Sequence, residues 1–502
     1  MAIKCLVGPI LGLESDTDYT VCFLTKKDIK KPILSVSHDQ TASTTKSGET
    51  PHGFFWRSTF KALIKSKSYF ITYEIKYNNE LLSDKHDRKA WTFYVPGKTE
   101  KPRIIYASCN GFSSADLQQK TTEPYFLWDK MAQMHETTPF SLLILGGDQV
   151  YADSVWIEVP SCRKWKELPR SKRIKMSATQ KLKRELDRFY QDLYISRWGN
   201  KNMSLMLSSI PTLMMWDDHD IFDGWGSYPG ELQSSPMYQA IFSAAKRYFE
   251  LFQIRSKKNS SLLSKNQEHY SFGVKYRNFY ILGLDNRSQR TLSQVMHDEE
   301  DKDNTHWKTI IQQLKEVNTE NLLVLSGLPV VYRDFSQTES LLDITPWQEE
   351  LTDDIKDQWR AKQHQGERLR LIMHLLNSHN QRPNQNKKKT VILSGDVHVA
   401  CLGTIIDRRV PDKISKVHQV VSSGIVHPPP SALAWIGITA SSNDDKEYLN
   451  SERTIETQII NAVGADRYIR TRNFVYLVEG DDQNLWVNWI CELGHDSEYP
   501  LE

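Results

Sequence analysis

The sequence predicts an α/β layered domain preceded by a small antiparallel β-sandwich. Three observations carry that expectation. Up to about residue 100, short aromatic and β-branched runs alternate with turn residues. From residue 103 onward, apolar runs of strand length alternate with longer helical stretches. Between them lies Pro96-Gly97-Lys98-Thr99-Glu100-Lys101-Pro102, which has the composition of a linker. A chain of 502 residues is long enough for two or more domains, placed at 1–100 and 101–502.

Residues 1–13 are expected to form a first strand rather than a cleaved leader, because no small-residue cleavage site precedes Glu14-Ser15-Asp16. Tyr19-Thr20-Val21-Cys22-Phe23-Leu24 follows as a strand, and the Ser- and Thr-rich stretch 35–51 reads as a surface loop. Residues 69–77 are aromatic and β-branched, Asn78-Asn79 makes a hairpin turn into Glu80-Leu81-Leu82, and 89–95 alternates at period two. In the second half, strands are expected at 104–107, 141–145, 212–216, 279–284, 322–325, 391–393 and 417–421. Helices are expected at 179–198, 235–252, 304–317 and 353–376, and a closing hairpin at 473–478 and 485–490. There is no internal repeat.

Composition excludes several classes. Hydrophobic content of 39% and charged content of 25% are those of a soluble globular chain. Lys+Arg 64 against Asp+Glu 62 leaves a formal charge of +2, so global charge selects no partner and nucleic acid enters only as a substrate. Six cysteines, Cys5, Cys22, Cys109, Cys162, Cys401 and Cys491, are scattered without a CxxC pair, which argues against a disulfide framework and for a reducing compartment. No apolar run has the length of a membrane helix, so the expected location is cytoplasmic or otherwise soluble. The basic stretch 163–188 follows directly on a candidate site motif, where it could steer a polyanionic substrate. The basic turn 384–389 reads as solvated surface.

Three apolar runs end in acids or histidine. They are Leu142-Leu143-Ile144-Leu145-Gly146-Gly147-Asp148-Gln149-Val150-Tyr151, Pro211-Thr212-Leu213-Met214-Met215-Trp216-Asp217-Asp218-His219-Asp220, and Thr390-Val391-Ile392-Leu393-Ser394-Gly395-Asp396-Val397-His398. Asp148 offers a carboxylate able to bridge two cations, Tyr151 a phenol suited to a hard cation, and Asp396 with His398 an oxygen and a nitrogen donor. The run 217–220 concentrates charge that would repel itself unless cations or arginine compensated it. Mixed oxygen and nitrogen donors suit iron, manganese, zinc or calcium. Two adjacent metals can generate a hydroxide nucleophile and clamp phosphate oxygens.

With Tyr106-Ala107-Ser108-Cys109 and Leu284-Asp285-Asn286-Arg287 added in chain order, these motifs resemble the PhoD-like (alkaline phosphatase D) metallophosphatase family over residues 103–430. The resemblance implies a calcineurin-like phosphoesterase fold, a four-layer αββα arrangement with metals at the strand ends, and a β-sandwich before it. It also accounts for an absence. Metallophosphoesterases in general open with Asp-x-His after the first strand, whereas the PhoD-like branch has a cysteine there, matched by Cys109. The family is associated with iron and calcium, with manganese, zinc or magnesium as other candidates. By that resemblance Cys109, Asp148, Tyr151 and His398 would hold ferric iron, and Asp148 and Asp396 would reach a second metal. The family's further ligand is an asparagine, where this chain has Asp223.

The catalytic set expected beside the metals is Arg287, His219 and Asp218. Arg287 could hold a phosphate oxygen through a bidentate pair, or simply pair with Asp285. His219 could protonate a leaving group or orient its acidic neighbours. His427 could lie near the pocket, Ser326-Gly327 could face it, and Trp225 and Tyr228 could line the entrance. The expected function is hydrolysis of phosphate monoesters or diesters. A scaffold protein on the same fold is the alternative, though every core ligand position is filled. A glycosidase reading of 217–220 leaves Cys109 and Tyr151 unused, and adjacent carboxylates do not flank a sugar bond.

Overall fold

The computed structural model describes residues 4–37, 40–297, 305–318, 320–336, 356–383, 388–411, 413–462, 464 and 466–501. The chain begins with β1 (Cys5–Leu13), β2 (Asp18–Lys26), β3 (Ile33–Val36), β4 (Gln40–Glu49), β5 (Gly53–Lys61), β6 (Tyr69–Tyr77), β7 (Glu80–Leu81) and β8 (Ala90–Val95). All pairings among them are antiparallel, in the order β1-β2-β5-β4-β3-β6, with β7 and β8 both on β6. Asn78 and Asn79 have φ of 50° and 65°, the left-handed pair that a two-residue hairpin turn needs. The loop expected at 35–51 is instead largely β4. Its threonines are β-branched, and Thr44 and Thr45 pair with Ser58 and Arg57 of β5 while Ala42 pairs with Leu34 of β3.

The second half supplies β9 (Ile104–Ala107), β10 (Leu142–Gly146), β11 (Thr212–Met215), β12 (Phe272–Tyr276), β13 (Phe279–Gly283), β14 (Asn321–Leu325), β15 (Thr390–Ser394), β16 (Ala400–Val410) and β17 (Lys413–Val421). After them come β18 (Glu447–Tyr448), β19 (Ile455–Ile460), β20 (Tyr468–Ile469), β21 (Asn473–Glu479), β22 (Leu485–Cys491) and β23 (Ser497–Leu501). One sheet runs β23-β22-β21-β9-β10-β11-β1-β2-β5-β4-β3-β6-β7, and the other β12-β13-β14-β15-β17-β16-β19-β18. β9, β10 and β11 are parallel, as are β13, β14, β15 and β17, so their C-terminal ends share one edge of each sheet. β1 joins the first sheet beside β11, with Gly12 opposite Thr212, and Thr212 Oγ1 donates to Leu11 O at 2.7 Å. β16 is missing from the sequence expectation because its first eight residues are buried on both faces and show no alternation.

Strand side chains divide at period two into three cores, and this division makes the four layers. Ile104, Tyr106, Leu142, Ile144, Leu213 and Met215 pack against Ile281, Leu323, Leu325, Val391 and Leu393 between the two sheets. Ile105, Ala107, Leu143, Leu145 and Met214 point the other way, onto helices carrying Trp128, Leu186, Tyr190 and Ile241. On the outer face of the second sheet, Leu282, Leu322, Val324 and Ile392 meet Trp307, Ile310, Leu371 and Leu375. Trp128 lies on the helix Phe126–Thr137, and the longer helices around these cores include Gln180–Arg197, Pro236–Phe252, His306–Glu316 and Gln365–Gln381, the four with a counterpart in the sequence expectation. The first three agree with expectation. The fourth starts later than the expected 353, of which 353–355 lie outside the described residues, because the chain turns inward at Asp357 before a short 3-10 turn at Lys362–His364. Most of the basic turn 384–389 also lies outside them. No helix among the described residues is long and apolar enough to cross a membrane.

One ion-pair knot anchors the second sheet's strand-end loop. Arg368 donates to Glu447 Oε1 and Oε2 at 3.0 and 2.8 Å and, through Nε, to Val330 O at 2.7 Å, with Arg360 3.5 Å from Glu447. Burial alone would raise the Glu447 carboxyl, but the two guanidinium groups outweigh it and hold it at about 2, against an ordinary 4.5. A carboxyl depressed on folding stabilises fully above its unfolded value and loses that contribution as pH falls through the folded one. Glu447→Gln is therefore expected to lower unfolding free energy by on the order of 3 kcal/mol at neutral pH. In urea titrations at a series of pH values, the wild-type and variant stabilities should converge toward about pH 2.

Candidate metal centre

The C-terminal strand ends of the two sheets converge here, and their backbones are stitched to one another. Cys109 N donates to Gly147 O at 3.2 Å, Asn110 N to Asp148 O at 2.8 Å, Gly395 N to Gly327 O at 3.2 Å, and His427 N to Cys109 O at 3.1 Å. These bonds hold four residues in the left-handed region, Cys109, Asp148, Asp396 and His398, with φ of 53°, 56°, 67° and 54°. Each such residue costs roughly 1 kcal/mol or more, and such strain persists where surrounding contacts over-determine it, commonly at functional sites. The glycine of Gly395-Asp396 is required by close approach: a Cβ there would lie 2.2 Å from Ser108 Oγ.

Cys109, Asp148 and His398 come together so that one donor atom from each lies within 4.8 Å of the others. Tyr151 joins them, its hydroxyl 3.1 Å from His398 Nε2. Asp148 is buried, and neither of its carboxylate oxygens has a hydrogen-bond partner among the described residues. A buried, unpaired carboxylate is expensive unless a cation satisfies it. Burial first, then the neighbouring Asp218, Asp217 and Asp220, push its pKa well up against the opposing pull of His219. The Cys109 thiol is likewise raised, by burial and then by Asp148. His398 is lowered by burial, then by His427 and His219, which leaves a neutral imidazole able to donate a lone pair. A sulfur, two oxygens and a nitrogen around one buried point fit a cation, and a bound cation would reverse the shifts of Asp148 and Cys109 while deepening that of His398.

Two further groups of donor atoms share the same spacing: Asp148, Asp218 and His219, and Asp217, Asp218 and Asp396. Asp223, expected beside Asp396, lies outside all three groups. Its backbone N–H bonds Asp153 Oδ1 at 2.8 Å, its side chain is 51% exposed, and the carboxylate is 4.0 Å from His219 Nε2. Asp217 and Asp218, six and five residues earlier in the chain, are the carboxylates grouped with Asp396. Asp220 takes no part in these groups. It accepts from the backbone N–H groups of Asp148, Gln149, Val150 and Asp217 at 2.9–3.1 Å and so shapes the loop that presents Asp148.

Arg287 stands differently from the phosphate-holding role expected of it. It is fully buried, and its five N–H groups are all engaged by the protein. Nε donates to Asp217, Nη1 to Trp225 O (3.1 Å) and Asp357 Oδ1 (2.8 Å), and Nη2 to Asp218 Oδ1 (3.2 Å) and Asp357 Oδ2 (2.7 Å). Asp285 accepts only its backbone N–H, at 3.1 Å. Asp357, held well below the usual carboxylate range by Arg287 and Arg290 against the effect of burial, was absent from the sequence reading. No motif marks it, and it contacts Arg287 across 70 residues of chain.

His219 stacks on Tyr151 with ring centroids 4.3 Å apart, and its Nδ1 is 2.9 Å from Asp153 Oδ2, a partner that sequence reasoning also missed. Burial opposes its charge, but Asp153, Asp218 and Asp148 outweigh that and raise its pKa well above the ordinary value. His427 stacks on His398 at 3.6 Å and is 3.2 Å from Ser113 Oγ. Trp225 stacks on Phe242 at 4.7 Å, and both line, with Tyr228, Arg290 and His297, a pocket of about 560 Å³ beside the Arg287 loop. Gly327 abuts Asp217: a Cβ there would sit 2.2 Å from its Oδ2.

Comparison with known proteins identifies the fold and the family. A solved structure titled as that of PhoD superposes with a TM-score of 0.58 at 14% identity, covering 98% of this chain and 87% of that one. A purple acid phosphatase from yellow lupin (Lupinus luteus) seeds gives 0.52 at 12% identity, covering 98% of this chain and 73% of that one. Both likenesses establish the calcineurin-like fold. An uncharacterised Saccharomyces cerevisiae protein, YGR266W, is 26% identical over 77% of this chain and 67% of its own length. The PhoD related phosphatase family matches residues 86–347 and 345–448, more than half of the sequence, and the chain belongs to that family of metallophosphatases.

Proposed function

We propose that this protein is a metal-dependent phosphoesterase acting on phosphate monoesters or diesters. The observation that carries the reading is Asp148, buried with both oxygens lacking a hydrogen-bond partner among the described residues and shared by two of the three groups of donor atoms. Cys109, Tyr151, Asp148 and His398 would hold one cation, and the thiolate and phenolate donors favour ferric iron. Asp148, Asp218, Asp217 and Asp396 would hold a second, an all-oxygen set suited to calcium or another hard divalent ion. When bound, two such cations supply the Lewis acidity that activates a water and neutralises the phosphoryl oxygens.

The remaining residues position and protonate. Arg287 acts as counter-ion to Asp217 and Asp218 and fixes their orientation, with Asp357 completing its fork. His219, its Nδ1 tied to Asp153, turns the other ring nitrogen toward the acidic cluster, where a proton can pass to a departing alkoxide. The basic segment beyond Tyr151 offers steering for an anionic ester.

Asp148→Asn is expected to lower turnover of a soluble aryl phosphate ester by at least about a hundredfold and to reduce bound metal, more than the loss of an outer-shell partner would. Full activity in that variant would sink the assignment. Elemental analysis with a visible spectrum tests the metal. A phenolate-to-ferric band is expected, and a colourless, zinc-only active enzyme would refute iron while leaving the phosphoesterase intact. Arg287→Met leaves Asp217 and Asp218 without their counter-ion and should destabilise by roughly 3–5 kcal/mol, with kcat and metal retention falling together. A rise in KM alone, with stability and metal content unchanged, would instead point to direct phosphate contact.

A further inference from the structure

Between Lys416 and Asp444 the chain contains no Asp, Glu, Lys or Arg. Within that span lies the helix Ala432–Ala440, whose residues are apolar around the whole circumference except Thr439, yet none of which is buried. Leu433 is 82% exposed and Ile436 61%. A helix apolar on all sides normally sits inside a protein, and a contiguous exposed apolar surface marks a contact. The helix is carried by Pro428-Pro429-Pro430, directly after His427, which stacks on His398. It therefore stands at the rim of the candidate centre.

The charges around this rim indicate what meets it. Trp435 packs edge-on against Tyr468, with Arg333 and Arg470 lying 5.7 and 5.8 Å from its ring. Asp444, the nearest acid in sequence, is already paired with Arg333 and Arg467. On the other sheet, the segment that leaves Tyr151 exposes Arg163, Lys164, Lys166, Lys172 and Lys175, with Glu167 the one acid between Val159 and Arg184. The same segment exposes Ile157 at 71%. The two segments leave the centre from stacked rings, Tyr151 and His427, 5.4 Å apart, and their apolar side chains, an aromatic beside arginines and exposed cations match the composition of an anionic lipid surface, with hydrocarbon below and phosphate above. A second copy of this chain would bring the same cations against themselves.

We propose that this rim docks the protein onto anionic phospholipid bilayers, with Ala432–Ala440 seated at headgroup level. Resting on the phosphoesterase reading, it follows that the ester drawn into the centre is one borne by a lipid. The full chain should co-sediment with phosphatidylcholine vesicles containing phosphatidylserine, far less with phosphatidylcholine alone, and less as salt rises. Leu433→Ser combined with Ile436→Ser should cut partitioning by about tenfold or more, and Leu433→Trp should raise it. Both variants should hydrolyse a soluble aryl phosphate at the wild-type rate. The proposal is overturned if the wild type ignores anionic vesicles, or if the double variant binds them as well as the wild type does. It is equally overturned if light scattering shows a dimer that the double variant dissociates, since a second copy then covers the helix. Vesicle binding without any ester hydrolysis would support the docking surface while removing the phosphoesterase reading.

Discussion

Arg287 lies wholly buried among Asp217, Asp218 and Asp357, and the strand ends around it depend on that cation. Like charges brought this close would leave the cluster either protonated or unfolded without compensation. One guanidinium answers part of the charge, and Asp220 is answered by backbone N–H groups. Asp148 is left without a hydrogen-bond partner among the described residues, with His219 the cationic group beside it. The fold thus satisfies the perimeter of the acidic cluster from its own resources and leaves the middle to a ligand. That division separates residues that build the site from those that would hold metal.

The layered architecture explains why the division falls where it does. Period-two alternation sends one row of each parallel strand between the sheets and the other onto helices, so neither face offers room for a polar group. Only beyond the last hydrogen-bonded residue can a side chain turn sideways. Cys109, Asp148, Asp396 and His398 do so through left-handed backbone, which lets short loops present donors inward instead of following the strand.

What was legible in the sequence follows from the same physics. The motifs around Cys109, Asp148, Tyr151, Asp396 and His398 were visible because a strand end and its loop are contiguous in the chain. The need for an arginine near 217–220 was also legible as a charge argument, while the identity of its other partner was not. Asp357 reaches Arg287 from a segment with no motif, so only tertiary structure reveals it. Asp223 stands at the margin of the cluster, since a resemblance assigns a position and not a direction. Its backbone is drawn to Asp153, and its carboxylate is left half in solvent. β4 was hidden by polar composition: its serines and threonines read as loop, although they pair with β3 and, with a register shift between Lys46 and Gly48, with β5.

The join between β1 and β11 bears on how the chain can be divided. Gly12 faces Thr212 there, and Arg255 closes over the contact, its guanidinium donating to Thr212 and leaving no space for a side chain on Gly12. The amino-terminal strands are therefore not a passenger ahead of the phosphatase layers but the cover for their open side. Proteolysis or truncation at 96–102 that released them would present β11 as a bare, apolar edge, a template for strand addition between molecules. Solubility of the catalytic layers is, on this arrangement, a property conferred by the first hundred residues.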